Sequence, residues 1–365
     1  MKKILCFILS FFMLAASGCS KQIPKGDTST WSTAATSAEL TKSDPPTASP
    51  ELASATPIPA QTKQLEPFYK IDMLTPDSGY AISRDFYVLK TSDGGKSWAD
   101  LATIPSLFDR EDEPALFALD EKTLYVASYT ASGIEVRKST DSGETWSKSS
   151  VKKQGDDFIP GNDCSLILSF ANSSDGFLLA SGPPALGIMA KALYRTSDGG
   201  NSWTSVRKDL MQDGSSTDIV GYTTGMAFFN ANTGYITCTY HGQKEISLYK
   251  TADSGKSWSV VLAPLPEKYV SLSYDTDYYA DAFPVAFYGK DKKGAKMELR
   301  FSHEEEHNAY IYSSDDGGVT WHVDGSSNQL VTKYCFIDDK NGFGLTEDGA
   351  PCSTKDGGIT WASIA

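Results

Sequence analysis

Positive charge, histidine and cysteine are what this 365-residue chain has least of. Lys and Arg number 33 against 46 Asp and Glu, a formal charge of −13. A surface of that sign repels phosphate backbones, which argues against a nucleic-acid partner. The longest apolar run, Ile4 to Ala16, falls short of the ~20 residues that cross a bilayer. No Ser-His-Asp or Cys-His signature stands out, and no cofactor is expected. Cysteine is sparse as well. Cys6 and Cys19 lie at the start, leaving Cys164, Cys238, Cys335 and Cys352, which allow three pairings with none dictated by spacing. A chain of this size needs no disulfide staple. Cys335 and Cys352 fall on the first and third strands of one repeat, which are not neighbours.

What the chain has instead is one short pattern repeated six times: Ser/Thr, Asp two residues later, Gly two after that, then Ser/Thr-Trp. Its Asp and Trp pairs are Asp93 and Trp98, Asp141 and Trp146, Asp198 and Trp203, Asp253 and Trp258, Asp316 and Trp321, and Asp356 and Trp361. Successive tryptophans are 48, 57, 55, 63 and 40 residues apart, a spacing that suits one small sheet per repeat. The residue types have a physical reason. Asp accepts hydrogen bonds from the backbone just after it, Gly supplies a positive φ, and the Trp ring packs on the hairpin beneath. Strand-like alternation flanks the motif, as in Tyr87-Val88-Leu89-Lys90.

Each repeat parses into four short strands. In the first they fall near 67–74, 79–83, 86–91 and 97–103, and in the last near 333–338, 342–346, 350–354 and 360–365. The expected fold is all-β: a six-bladed β-propeller of four-stranded antiparallel blades, with seven blades as the alternative. Because the repeats run in phase with the chain, ring closure should rest on packing of the first and last blades.

The motif resembles the Asp-box, or bacterial neuraminidase repeat, of sialidase-like β-propellers. An upstream apolar strand, turn and Gly-aromatic pair recurs, as in Met73 to Tyr80, Phe229 to Tyr235 and Phe336 to Phe343. That combination is similar to the photosystem II assembly and stability factor-like group, which bind other proteins. The resemblance covers residues 65–365 and implies a fold far more firmly than a function. A sialidase would need three arginines on a carboxylate, a Tyr nucleophile with a Glu base, and an acid Asp. The Arg-Ile-Pro signature is absent. Of the six arginines, Arg84, Arg110 and Arg300 could reach the loop face, and none has that family's local context.

Residues 1–18 read as an export signal, with Lys2-Lys3 ahead of the apolar run. Ala16-Ser17-Gly18-Cys19 resembles a bacterial lipobox, with Ala16 where leucine is commonest, making Cys19 the lipidation site. Ordinary secretion with a free Cys19 is the alternative. Residues 19–64 form a tether: Ser, Thr, Ala and Pro fill 28 of the 43 positions from Ser20 to Thr62. Such a composition cannot offset its own ordering entropy and should be disordered. The implied location is the outer side of a bacterial cell membrane, lipid-anchored.

Propeller topology places the Asp turns on one face and the longer loops on the other. The loop face is acidic and suits cations or basic partners. Its candidate ligand-binding residues are Asp109, Glu111, Asp112, Asp275, Asp277, Tyr278, Tyr279, Glu304, Glu305 and Glu306. His303 to His307 matches the zincin pattern H-E-x-x-H, but strand-like flanks leave no room for the helix that chemistry requires. A metal held by His303, His307 and His241 stays as a lesser expectation. The expected function is non-catalytic recognition of an envelope or extracellular protein or glycan. A glycoside hydrolase using loop-face carboxylates is the alternative.

Overall fold

The repeated turn builds itself as its residue types require. In all six copies the first hydroxyl donates to Asp Oδ1 at 2.7–2.9 Å. That Ser/Thr hydroxyl oxygen accepts the glycine N–H at 2.8–2.9 Å. Asp Oδ1 also accepts the N–H of the residue before Trp at 2.9 Å. The glycine sits at φ 83–98°, where a Cβ would be strained. In four copies the Trp Nε1–H closes back on that glycine's carbonyl at 2.9–3.0 Å. Trp203, Trp258, Trp321 and Trp361 are buried, while Trp98 and Trp146 are half-buried.

The computed structural model describes residues 67–104, 113–130, 133–151, 164–184, 189–207, 210, 218–240, 245–272 and 278–364. Six sheets follow one another along the chain, spanning 68–103, 115–151, 165–207, 222–260, 278–326 and 333–363. Each is antiparallel with its strands in sequence order, numbered 1 to 4 from the axis outward. The protein is a six-bladed β-propeller. Blade 5 differs in its first strand, which is split into Tyr278–Ala282 and Ala286–Tyr288, both paired to strand 2. The single short helix among the described residues, Glu267–Val270, lies between blades 4 and 5.

Blades stack because strand 2 is buried on both faces, and in blades 1 and 3 its residues are apolar or small throughout. Gly79–Ser83 and Gly176–Ser181 are buried along their whole length. Aromatic rings at the second position of strand 2 bolt one blade to the next. Tyr80 donates to Glu121 O at 2.6 Å, and Tyr235 to Gly317 O at 2.8 Å. A cation from strand 3 covers the ring in blades 1 to 4, for example Lys90 over Tyr80 and Lys250 over Tyr235.

The innermost strands are stitched by side chains at one register position, seven residues before the glycine that opens strand 2. Asp72 Oδ2 accepts Ala118 N–H and Ser169 Oγ accepts Phe228 N–H, both at 2.8 Å. Cys335 Sγ accepts Met73 N–H at 3.1 Å. That last bond crosses the seam between blade 6 and blade 1. Phe68 N–H reaches Gly349 O at 2.9 Å across the same seam, over an apolar cluster of Ile71, Met73, Phe343 and Leu345. Among the described residues, ring closure is therefore by packing and these hydrogen bonds, with no exchanged strand.

Candidate functional site

The two faces of the ring separate as the topology requires. Every Asp turn bonds to the strand 1–2 turn of its own blade, from Gly94 N–H on Asp77 O to Gly357 N–H on Lys340 O, at 2.8–2.9 Å. The blade-to-blade links lie on the opposite face with the strand 2–3 turns. There Lys268 of the helix pairs with Glu306 of blade 5.

On that loop face the outstanding element is the central hairpin of blade 5. Its strands, Gly294–His303 and Glu306–Ser314, have ten and nine residues, against four to seven in the equivalent strands of other blades. Their register is fixed at the Asp turn, so the surplus of about three residues adds ~10 Å on the loop side. An aromatic cluster stiffens the base: Tyr269 stacks on Phe301 with centroids 4.7 Å apart, and Tyr278 and Tyr310 close around them. Asn308 donates to Tyr269 Oη at 2.9 Å.

Glu304, with φ 53°, and Glu305 form the exposed tip. Glu306 is exposed beside them, and its hydrogen bond from Lys268 draws its carboxyl below the usual range. Tyr279, 41 % exposed, stands on the neighbouring strand opposite Ser302. One row below, Arg300 Nη2 donates to Asp281 Oδ2 at 2.7 Å, with Glu347 of blade 6 at 4.0 Å from Nη1.

The structure brings Tyr279, Glu304, Glu305 and Glu306 together, and corrects two expectations. Tyr278 is 4 % exposed and belongs to the aromatic base, because it starts a strand rather than sitting in a loop. His303 pairs with Glu306 while His307 pairs with Ser302, so alternation puts the two histidines on opposite faces. They cannot share a metal. His307 Nδ1 instead lies 2.8 Å from Ser302 Oγ. Among the described residues no three His, Cys, Asp or Glu side chains are grouped as a metal would require. Asp109, Glu111, Asp112, Asp275, Asp277, His241, Cys19 and the 1–64 segment lie outside the described residues.

The sequence reading missed three features. The first is the axial channel, about 690 Å³, lined by the first strands of all six blades, with Lys70, Asp72, Glu113, Lys292 and Lys333 on its wall. The second is Glu298 on strand 2 of blade 5, fully buried against blade 6. Its Oε1 accepts Val331 N–H at 3.1 Å, while Oε2 has no partner. Burial pushes its carboxyl up to about 8, against the pull of the Val331 N–H and Arg300. The third is Lys191, equally buried, whose Nζ donates to the carbonyls of Met189, Ile219 and Gly221 at 2.8, 3.2 and 2.7 Å. Charge at positions that should face inward was the signal that could have found all three.

No family model and no curated protein matches the chain. Solved structures do. An oligogalacturonate lyase in complex with manganese aligns at TM-score 0.51 and 9 % identity, over 82 % of this chain and 77 % of that one. YCF48 bound to a D1 peptide aligns at TM-score 0.43 and 14 % identity, over 80 % and 92 %. A GH74 enzyme of Niastella koreensis aligns at 0.49 and 17 %, over 82 % of this chain but 45 % of its own. At these identities the likeness speaks for the propeller alone. Function therefore has to be argued from the site.

Proposed function

We propose that the chain is an Asp-box propeller lipoprotein, tethered through Cys19 on the outer side of a bacterial membrane, that binds a partner without cleaving it. The partner is an envelope or extracellular protein or glycan that presents positive charge to the loop face. One observation carries this reading: the extended blade 5 hairpin holds Glu304 and Glu305 clear of the ring on a stiff aromatic base. Preorganised carboxylates of this kind lose little entropy on binding and steer a cationic partner.

The placement of the perturbed acids supports binding over hydrolysis. A glycosidase acid must hold its proton at neutral pH and also touch the glycosidic oxygen. Among the described residues the carboxyls that burial pushes upward, Glu298 and Asp72, are used inside the fold: Glu298 in a blade seam, Asp72 as a clasp between strands. The test is capture from native envelope by the full chain, compared with a Glu304→Gln/Glu305→Gln variant. Capture should fall at least ~10-fold with the melting temperature unchanged. Equal capture by both proteins would sink the proposal.

A further inference from the structure

The axial channel is crossed by a lysine at each end. At the loop face, Lys333 Nζ of blade 6 meets Glu113 Oε1 of blade 2 at 2.9 Å, passing over the Tyr69 ring of the intervening blade. At the turn face, Lys292 Nζ of blade 5 spans to Phe170 O and Ala171 O of blade 3 at 3.3 and 3.0 Å. Between these bars the channel encloses about 690 Å³, within the range of small-molecule pockets. Its wall carries an apolar belt of half-buried side chains that includes Phe117, Ile167, Ala227 and Ala286.

Three lysines that line this chamber, Lys70, Lys290 and Lys292, make no ion pair among the described residues, and Lys70 acts on the Asp72 carboxyl through charge alone. Lys70, half-buried on blade 1, has no carboxylate within 4 Å among the described residues. Asp72, two residues away, is occupied by the Ala118 N–H. The Lys333–Glu113 pair, by contrast, is partly exposed on both sides, so its exchange for another anion costs little. An ammonium in a confined, partly apolar space favours an anion, and the belt favours an anion with an apolar body.

We propose that the channel is a binding chamber for a small organic carboxylate, its anionic end held by Lys70 and Lys333 and its body laid against the apolar belt. This site is separate from the acidic hairpin, and either can stand without the other. The bar at Lys333 is then the entrance: the incoming carboxylate takes the place of Glu113 on the ammonium. Lys292 closes the far end.

Calorimetric titration of the full chain with sodium benzoate, acetate and uncharged benzamide at constant ionic strength tests this. Benzoate should bind in the millimolar range or tighter, acetate at least ~10-fold more weakly, and benzamide without measurable heat. Lys70→Met should weaken benzoate at least ~10-fold, as loss of a charge-assisted contact does. Glu113→Gln should tighten it several-fold by freeing Lys333. Benzamide matching benzoate, or Lys70→Met leaving the affinity unchanged, overturns the proposal. Should Lys70→Met fail to fold, the benzoate–benzamide pair on the natural chain and the Glu113→Gln variant still decide.

Discussion

The two sides of strand 2 in blade 5 face neighbouring blades, yet they are built from different chemistry. Toward blade 4 the strand turns Ala295, Met297, Leu299 and Phe301, which pack with Tyr235, Leu248, Tyr269 and Tyr278. Toward blade 6 it turns Lys296, Glu298, Arg300 and Ser302. Lys296 pairs with Asp324 at 2.6 Å, Arg300 with Asp281 at 2.7 Å, and Glu298 is left with one unpaired oxygen. The first seam gains from area removed from water. The second gains little from its ion pairs, because desolvation offsets most of the attraction, and it pays for a buried carboxyl. The blade 6 seam takes its apolar packing from strand 1 instead, where Phe283 and Ala286 join Val331, Tyr334 and Phe336.

The sharpest way to break this contrast is to damage the apolar side. Phe301→Ala removes a fully buried ring from the stacked cluster and should cost ~3–5 kcal/mol in denaturant unfolding. A loss under about 1 kcal/mol would mean the two sides are energetically alike.

The polar side should respond in the opposite sense. With its folded carboxyl raised to about 8, Glu298 keeps a proton that the unfolded chain releases near pH 4–5. Its contribution is thus intact below that range and is lost as pH rises toward 8, at ~1.4 kcal/mol per pH unit. Glu298→Gln should be more stable than the natural chain by ~2–4 kcal/mol at pH 8–9, with the gap closing toward pH 5. Parallel stability curves for the two proteins would show that the seam is not proton-dependent.

The smallest effect belongs to the Asp turn at the blade's rim, which leans on the blade 4 side, where Tyr235 donates to Gly317 O. Burial acts to raise the Asp316 carboxyl, but the N–H and hydroxyl of Thr320, with Ser314, outweigh it and hold it at about 2. A depressed carboxylate stabilises above its unfolded pKa, and the effect fades as pH falls from about 4 to about 2. Asp316→Asn should cost under ~1 kcal/mol at neutral pH, since the turn is exposed, and should flatten the acid limb of the stability profile. An unchanged acid limb would assign acid sensitivity elsewhere.

Much of the fold was legible because its determinants are local. The Asp, Gly and hydroxyl of each turn act within five residues, so the pattern fixes the turn wherever it occurs. The strands read in blade 1, near 79–83 and 97–103, coincide closely with Gly79–Ser83 and Ala99–Thr103. The strand-like reading of the segments that flank His303 to His307 also held, because alternation on either side leaves no helical period. The candidate site was less legible. Tyr278 and Tyr279 look alike in sequence, and only the strand beginning between the turn and Ala282 decides that one ring is core and the other surface.

By itself, then, the sequence determined the number of repeats, the turn that closes each one and the order of the strands, because those depend on neighbours along the chain. Lys296-Met297-Glu298-Leu299-Arg300-Phe301 shows the limit. Its strict alternation describes a strand with one face in water, yet stacking in the ring buries both faces. Which residues line the channel, which lysines bar it and which carboxyl must keep its proton were decided only when six sheets closed around one axis, since each depends on partners tens or hundreds of residues away.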